Sequence, residues 1–236
     1  MLSIILTRKI VQLNVMAESI ERSYRGISAS QRRAERRQRL LEAGLELFAT
    51  VGYNQTSIEQ ICTIARVTAR HFYEAFSGKE ALLCALYDQI TTTLKSAIAS
   101  SVAEEGNPGL RIRQAVGALV QHYLADWRKA RVGVLEVVGV SVAMEVHRRQ
   151  VIHEMAGILE RFLNRLVSSG HLPQGDYRLL AVAMVGGINE VMAEWLTGQS
   201  GHVELLRDEI VHILEAMIKG LAFPQHPWPV DAVFFK

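Results

Sequence analysis

Within this 236-residue chain, Thr68-Ala69-Arg70-His71 is the stretch whose residue types and order best suit contact with a polyanion. The Thr68 hydroxyl can cap a helix that starts at Ala69, leaving that helix's positive dipole end and remaining leading amides facing phosphate. Arg70 in the first turn can donate two hydrogen bonds to guanine O6 and N7. His71 can donate to a phosphate or a base, and Tyr73 and Lys79 can hold backbone phosphates, which fix register without reading sequence. With Thr56 at the entrance of the preceding helix, the candidate DNA-contacting set is Thr56, Thr68, Ala69, Arg70, His71, Tyr73 and Lys79. The alternative roles are plainer. Tyr73 then covers a small core, and Lys79 is an exposed lysine at a helix start.

Positioning such a turn needs two short helices at a fixed angle. Ile58, Ile61, Ile64 or Ala65, Val67 and Phe72 have the spacing to lock them together across the tight connection Ala65-Arg66-Val67, which is helix-turn-helix spacing. Thr56-Ser57-Ile58-Glu59 fits a capping box for the first of the pair. Ahead of it a helix over 32–51 places Leu40, Ala43, Leu47 and Phe48 on one face and stops at Gly52. No proline occurs before Pro108, and the rest fall at Pro173, Pro224, Pro227 and Pro229, outside long stretches of 3.6-residue periodicity. Further helices are expected over 69–76, from 79 to just before Gly106, and over 109–129, 132–145, 147–169, 177–197 and 203–222. The valine-rich segment 132–142 reads as helix because a lone strand has no partner. The fold class is all-α.

Composition narrows the classes further. The chain is 49% apolar and 21% charged, so it can bury a core, and its two cysteines cannot build a disulfide framework. Cys62 and Cys84 read as buried, inert thiols. The longest apolar run, 179–188, is about half of the ~20 residues a bilayer-spanning helix needs. Arg8 and Lys9 follow rather than precede the apolar start, the wrong order for a secretory signal, so a cytoplasmic protein is expected. Charge is unevenly spread: 22–39 holds seven arginines against Glu35 alone. Such a cluster is either a polyanion-binding footprint or a solvated arm.

Taken together, the stretch LLEAGLELFATVGYNQTSIEQICTIARVTARHFYEAFSGKEALL, within 39–85, resembles the DNA-binding domain of the TetR family of bacterial transcriptional regulators. The matching elements are Phe48 with Gly52-Tyr53, Thr56, Ile61, Val67-Thr68, Phe72-Tyr73, Phe76 and Lys79-Glu80. The chain departs from the family pattern at three places: Arg66 where glycine is usual in the turn, Cys62 for alanine, and His71 for threonine or serine. A left-handed backbone at Arg66 costs about 1 kcal/mol or more. The resemblance implies a helical ligand-binding and dimerisation domain for the remainder. The expected organisation is a basic extension over 1–31, a three-helix DNA-binding domain over 32–78, a C-terminal helical bundle for ligand and dimer over 79–223, and a tail over 224–236.

In the C-terminal region, the helix over 177–197 is capped by Asp176 and apolar all round, so it must be covered on several sides. With the amphipathic helix over 203–222 it suits a four-helix bundle made by two subunits, the candidate interface being Ala183, Gly186, Gly187, Met192, Trp195, Ile210 and Met217. Candidate ligand-pocket residues are His122, Tyr123, Trp127, Met144, His147, Met155 and Asn189. No metal or other cofactor is expected: His147 and His153 point to different sides of a helix, and neither HExxH nor CxxC is present. Glu190 and Glu194 read as a solvated pair rather than an acid–base couple. The partners implied are double-stranded DNA, a small-molecule effector and a second copy of the chain, with no membrane. The function expected is a ligand-responsive repressor on a pseudo-palindromic operator. The competing reading is a helical enzyme or carrier with an incidental helix-turn-helix.

Overall fold

The computed structural model describes residues 28–103, 107–198 and 202–222, and every regular element among them is helical. Helix α1 (Ala29–Thr50) starts at a reciprocal cap: the Ser28 hydroxyl accepts from the Gln31 amide at 3.1 Å, and Gln31 Oε1 accepts from the Ser28 amide at 2.8 Å. The expected extension over 1–31 therefore gives up its last residues to α1; residues 1–27 and the tail 224–236 lie outside the described residues. Helix α2 (Ile58–Ala65) is capped one residue later than the sequence pattern suggests. Ser57, not Thr56, accepts from the chain, and Gln60, not Glu59, answers it. Either pair satisfies the capping-box pattern, so spacing alone could not separate them.

Arg66 ends α2 at φ 52°, the one non-glycine residue with positive φ among the described residues. There the Val67 amide donates to Cys62 O at 3.0 Å and the Arg66 amide to Thr63 O at 3.2 Å. Helix α3 (Ala69–Ala75) follows from Thr68. Ile61 and Phe72 are fully buried between the pair, with Ala65 and Val67 nearly so, while Ile64 is half exposed; Ala65 is thus the inward residue of the two alternatives. Phe48 of α1 and Leu82 of α4 (Lys79–Ala103) are also fully buried, making one small core.

Helix α4 is 25 residues long, roughly 37 Å, and runs out of this core into the C-terminal domain. Helix α5 (Pro108–Leu124) returns along it, capped by Asn107 with proline at the first position. One turn, α6 (Trp127–Ala130), then widens into a π-helix over Arg131–Glu136. Helices α7 (Val142–Ser168), α8 (Arg178–Thr197) and α9 (Val203–Ala222) complete the domain. The expected helices over 132–145 and 147–169 are corrected here: the break lies at 137–141, and α7 is continuous through position 146. Gly139 at φ 72° turns the chain, and Ser141 caps α7 by accepting from the Met144 amide. The Glu145 carboxylate accepts from the Gly139 amide at 2.9 Å, fixing that turn. Asp176 accepts from the Arg178 amide at 2.9 Å, as its place before α8 suggested.

Candidate nucleic-acid interface and effector cavity

The first turn of α3 stands clear of the body. The Arg70 side chain is 87% exposed and is steadied by one ion pair, Nε to Glu74 Oε1 at 3.2 Å. Thr68 and Ala69 are exposed, and Tyr73 is 59% exposed with its ring set edge-on to Phe72. The Thr68 hydroxyl serves two groups of His71: it accepts from the backbone amide at 3.4 Å and lies 2.9 Å from Nδ1. That pairing leaves His71 Nε2 as the edge of the ring turned away from the cap. Arg32, Arg33, Arg37 and Arg39 are exposed on α1, and Arg37 stacks over the Phe76 ring at 4.9 Å, joining the basic helix to the end of α3.

Two residues expected at DNA do something else. Thr56 is buried, and its hydroxyl donates to Gly52 O at 2.8 Å. The Lys79 ammonium donates to Tyr53 O at 2.7 Å and Thr56 O at 2.9 Å and sits 4.3 Å from the centre of the Tyr53 ring. Burial lowers its pKa. Both residues staple the α1–α2 connection to the start of α4. Their type fits phosphate contact, but the loop carbonyls next to them need donors first.

A slender cavity of about 110 Å³ runs inside the C-terminal domain. Along α4 it is lined by Tyr87, Thr91, Leu94, Ile98 and Val102, one residue per turn, a span of roughly 22 Å. Spread over that length the volume makes a slot rather than a chamber. Val116 and Leu119 of α5, Ile158 and Phe162 of α7 and Met184 of α8 add apolar walls. Polar atoms come from Tyr87, Thr91, Tyr123 and Asn189, and no described residue lining it carries a charge. Burial pushes the Tyr87 phenol up to about 12 and raises Tyr123 as well, so both stay protonated near neutral pH.

Of the expected pocket residues, Tyr123, Met155 and Asn189 line this cavity and the other four do not. His122 faces a separate cleft between α1, α4 and Asp126. Trp127 is half exposed on α6. Met144 is wholly buried, its sulfur 3.4 Å from Cys84 Sγ. His147 Nε2 meets Asp88 Oδ1 at 2.8 Å with its ring edge-on to Tyr87, one layer outside the slot. Sequence reasoning misses the α4 wall because a long helix between two domains reads as a connector. Its signal is present all the same: Tyr87, Thr91, Leu94, Ile98 and Val102 form a continuous i, i+4 or i+3 stripe.

The π-helical turn touches both halves. Gly133 and Val134 line the cavity, and a Cβ at Gly133 would lie 3.3 Å from Tyr123 Cε1, so a side chain there would press on that ring. Three residues on, Glu136 Oε2 accepts from the Tyr53 amide at 2.8 Å, across the boundary to the DNA-binding domain. Arg131 supports the same carboxylate at 3.4 Å. Beside it Arg128 reaches Glu42 at 2.8 Å and Glu46 at 2.9 Å on α1 while bound by both oxygens of Asp126. These bonds hold Asp126 below its ordinary value and make the guanidinium still harder to deprotonate.

Residues 40–86 match the family model of bacterial regulatory proteins of the tetR family. Those residues are the part of the chain that carries the family's DNA-binding pattern. The match covers α1 from Leu40, the helix-turn-helix and the start of α4, the unit whose geometry is described above. Over 183 residues the chain is 21% identical to the fatty acid metabolism regulator protein of Bacillus subtilis (strain 168), covering 77% of this chain and 93% of that one. The crystal structure of a TetR-family regulator from Syntrophomonas wolfei superposes with a TM-score of 0.70 at 20% identity, over 80% of this chain and 97% of that one. FadR from Bacillus subtilis in complex with stearoyl-CoA superposes with a TM-score of 0.63 at 19% identity, over 80% and 99%. Residues 40–86 thus match the DNA-binding unit of that family, and over about 80% of its length the chain shares the fold of these regulators.

The dimer surface expected for the family divides in two. Ala183 and Gly187 are exposed on α8, Gly186 has open space where a Cβ would stand, and Met217 and Trp195 are partly covered. Met192 and Ile210 are corrected: both are buried inside the protomer, at 0% and 1% exposure. Leu179, at 83%, is the large apolar residue left exposed on α8, and Val203, Leu205 and Ile213, at 37%, 60% and 39%, are those on α9. By length and composition alone α8 would pass as a membrane span, with a mean hydropathy of 1.4. It nevertheless packs on α7 and also contacts α9.

Proposed function

We propose that the protein is a homodimeric repressor that binds a pseudo-palindromic operator and is released from it by an elongated apolar effector. Two copies pair through the exposed stripe of α8 and α9, which sets two α3 helices about 34–36 Å apart, one turn of DNA. Thr68, Ala69, Arg70, His71 and Tyr73 then face each half-site, with Arg70 reading a base and Tyr73 meeting phosphate. The slot is long and apolar, and a long acyl group is the chemistry that fills it. Relatives whose names include fatty acid regulation and a stearoyl-CoA complex support that choice.

The observation that carries the reading is the π-helical turn, which lines the cavity with Gly133 and Val134 and holds the Tyr53 amide with Glu136. An effector that favours a displaced turn lowers DNA affinity only by its differential affinity for the two states. The test is a titration onto duplex DNA from the region upstream of the protein's own coding sequence, with and without octadecanoyl-CoA. Release on adding the thioester supports the proposal. DNA affinity unmoved by a thioester that demonstrably binds would sink it, and absence of any sequence-dependent DNA binding would favour a carrier instead.

A further inference from the structure

The slot poses a problem of charge. None of the described residues lining it is ionised, and moving an anionic head group into such surroundings costs far more than the chain gains. An amphiphile must therefore leave its charge outside. At the end of the slot away from the π-helical turn, Ile112 and Ile218 form part of its wall, and the same two residues line a second, open cleft of about 640 Å³. Besides Asn107 at the cap of α5, that cleft gathers Arg113 of α5, Lys219 of α9 and His171 of the α7–α8 connection. The acidic residue lining it is Glu215, which pairs with Arg113 at 3.2 Å and with Lys219 at 2.9 Å.

From this adjacency we infer that the cleft is the head-group site of the effector, taking the anionic end of a chain-bearing amphiphile whose tail passes between Ile112 and Ile218 into the slot. The inference rests on the effector reading given above. Glu215 holds the two cations on neighbouring helices in fixed positions, yet both side chains remain largely open, 61% for Arg113 and 70% for Lys219. They can turn to a ligand without exposing a buried charge. Two cations against one carboxylate leave the site net positive. The polarity of binding follows: head at the outer cleft, tail tip at Tyr87, Tyr123 and Gly133, where the contact with the DNA-binding domain begins. Chain length is then read at the π-helical turn, because only a tail long enough to reach it disturbs Glu136.

The experiment compares dodecanoyl-CoA, dodecanoate and uncharged dodecanol by calorimetric titration on the full chain and on Arg113→Gln/Lys219→Gln. Circular dichroism confirms that the variant, altered only at exposed positions, is folded. The wild type should bind the anionic ligands more tightly than dodecanol by roughly tenfold, the scale of two partly exposed charge contacts. The variant should lose that advantage and bind dodecanol as the wild type does. Preference for the thioester over dodecanoate assigns the anion to phosphates, and the reverse to a carboxylate; either supports the site. An anionic advantage that survives in the variant overturns the head-group site while leaving the slot as effector pocket. Failure of all three ligands on the wild type overturns the slot itself, and the head-group site with it. As a second probe, Ile112→Trp should weaken all three by closing the passage; unchanged binding there contradicts entry from the cleft.

Discussion

Replacing Glu136 by alanine tests the link between cavity and DNA-binding domain. The Glu136 side chain is 15% exposed and its carboxylate accepts the amide of Tyr53, itself 9% exposed. Removing it strands a largely buried N–H, a loss of about 1–3 kcal/mol. Thermal unfolding should therefore move down by several degrees, at about 2–4 °C per kcal/mol for a chain of this size. The same figure is comparable with a whole allosteric coupling energy, typically about 1–3 kcal/mol. In an anisotropy titration on operator DNA, the loss of affinity that octadecanoyl-CoA causes should shrink several-fold in Glu136→Ala, with effector affinity itself changed less. Glu136→Gln keeps an acceptor oxygen and should lie between the two. A Glu136→Ala protein with a lowered Tm but the full effector response would refute the relay. One with a wild-type Tm would refute the bond's energetic role as well.

Other outcomes follow from single sites. Arg66→Gly should raise Tm: it relieves a left-handed residue at a cost of about 1–2 kcal/mol, offset in part by about 0.5–1 kcal/mol of added chain entropy; a lowered Tm would mean that the side chain carries a stabilising interaction. Gly187→Arg places a charge where the protomer leaves open space, so sedimentation should show an intact fold but a monomer; a dimer unchanged by it would move the interface off α8. On acidification, Asp126 is held below the ordinary aspartate value by Arg128, so the unfolded chain takes up its proton first. Stability from this group is complete above about pH 4 and lost as pH falls through its lower folded value. Asp126→Asn should thus lower Tm near neutral pH and flatten its acid decline, and an equally steep decline would place that dependence elsewhere.

Much of the DNA-binding unit was legible because its residues are constrained locally. Thr68 caps α3, Arg66 takes the glycine position with φ 52°, and Ile61, Val67 and Phe72 close the core, each within a few residues of its partners. What failed depended on distant neighbours. Lys79 looks like a phosphate ligand until Tyr53 O, 26 residues back, is placed beside it; Thr56 is the exception, since its hydroxyl turns to Gly52 O four residues away. The cavity was the least legible part, since a stripe such as Leu94, Ile98 and Val102 has the same pattern whether it fills a core or lines a slot. Met192 and Ile210 failed for a related reason: on an all-apolar helix, sequence does not say which face meets the protomer and which a partner.

The central claim, that paired α3 helices read DNA through Arg70, is tested most directly by titrating the purified chain onto its own upstream duplex, with Arg70→Ala in parallel. The account predicts saturation at two protomers per site. It also predicts a weakening by roughly 5–150-fold for each bidentate arginine–guanine pair removed, with discrimination against scrambled DNA falling by the same factor. Equal affinity of the variant for operator and scrambled duplexes, matching the wild type on both, would contradict it.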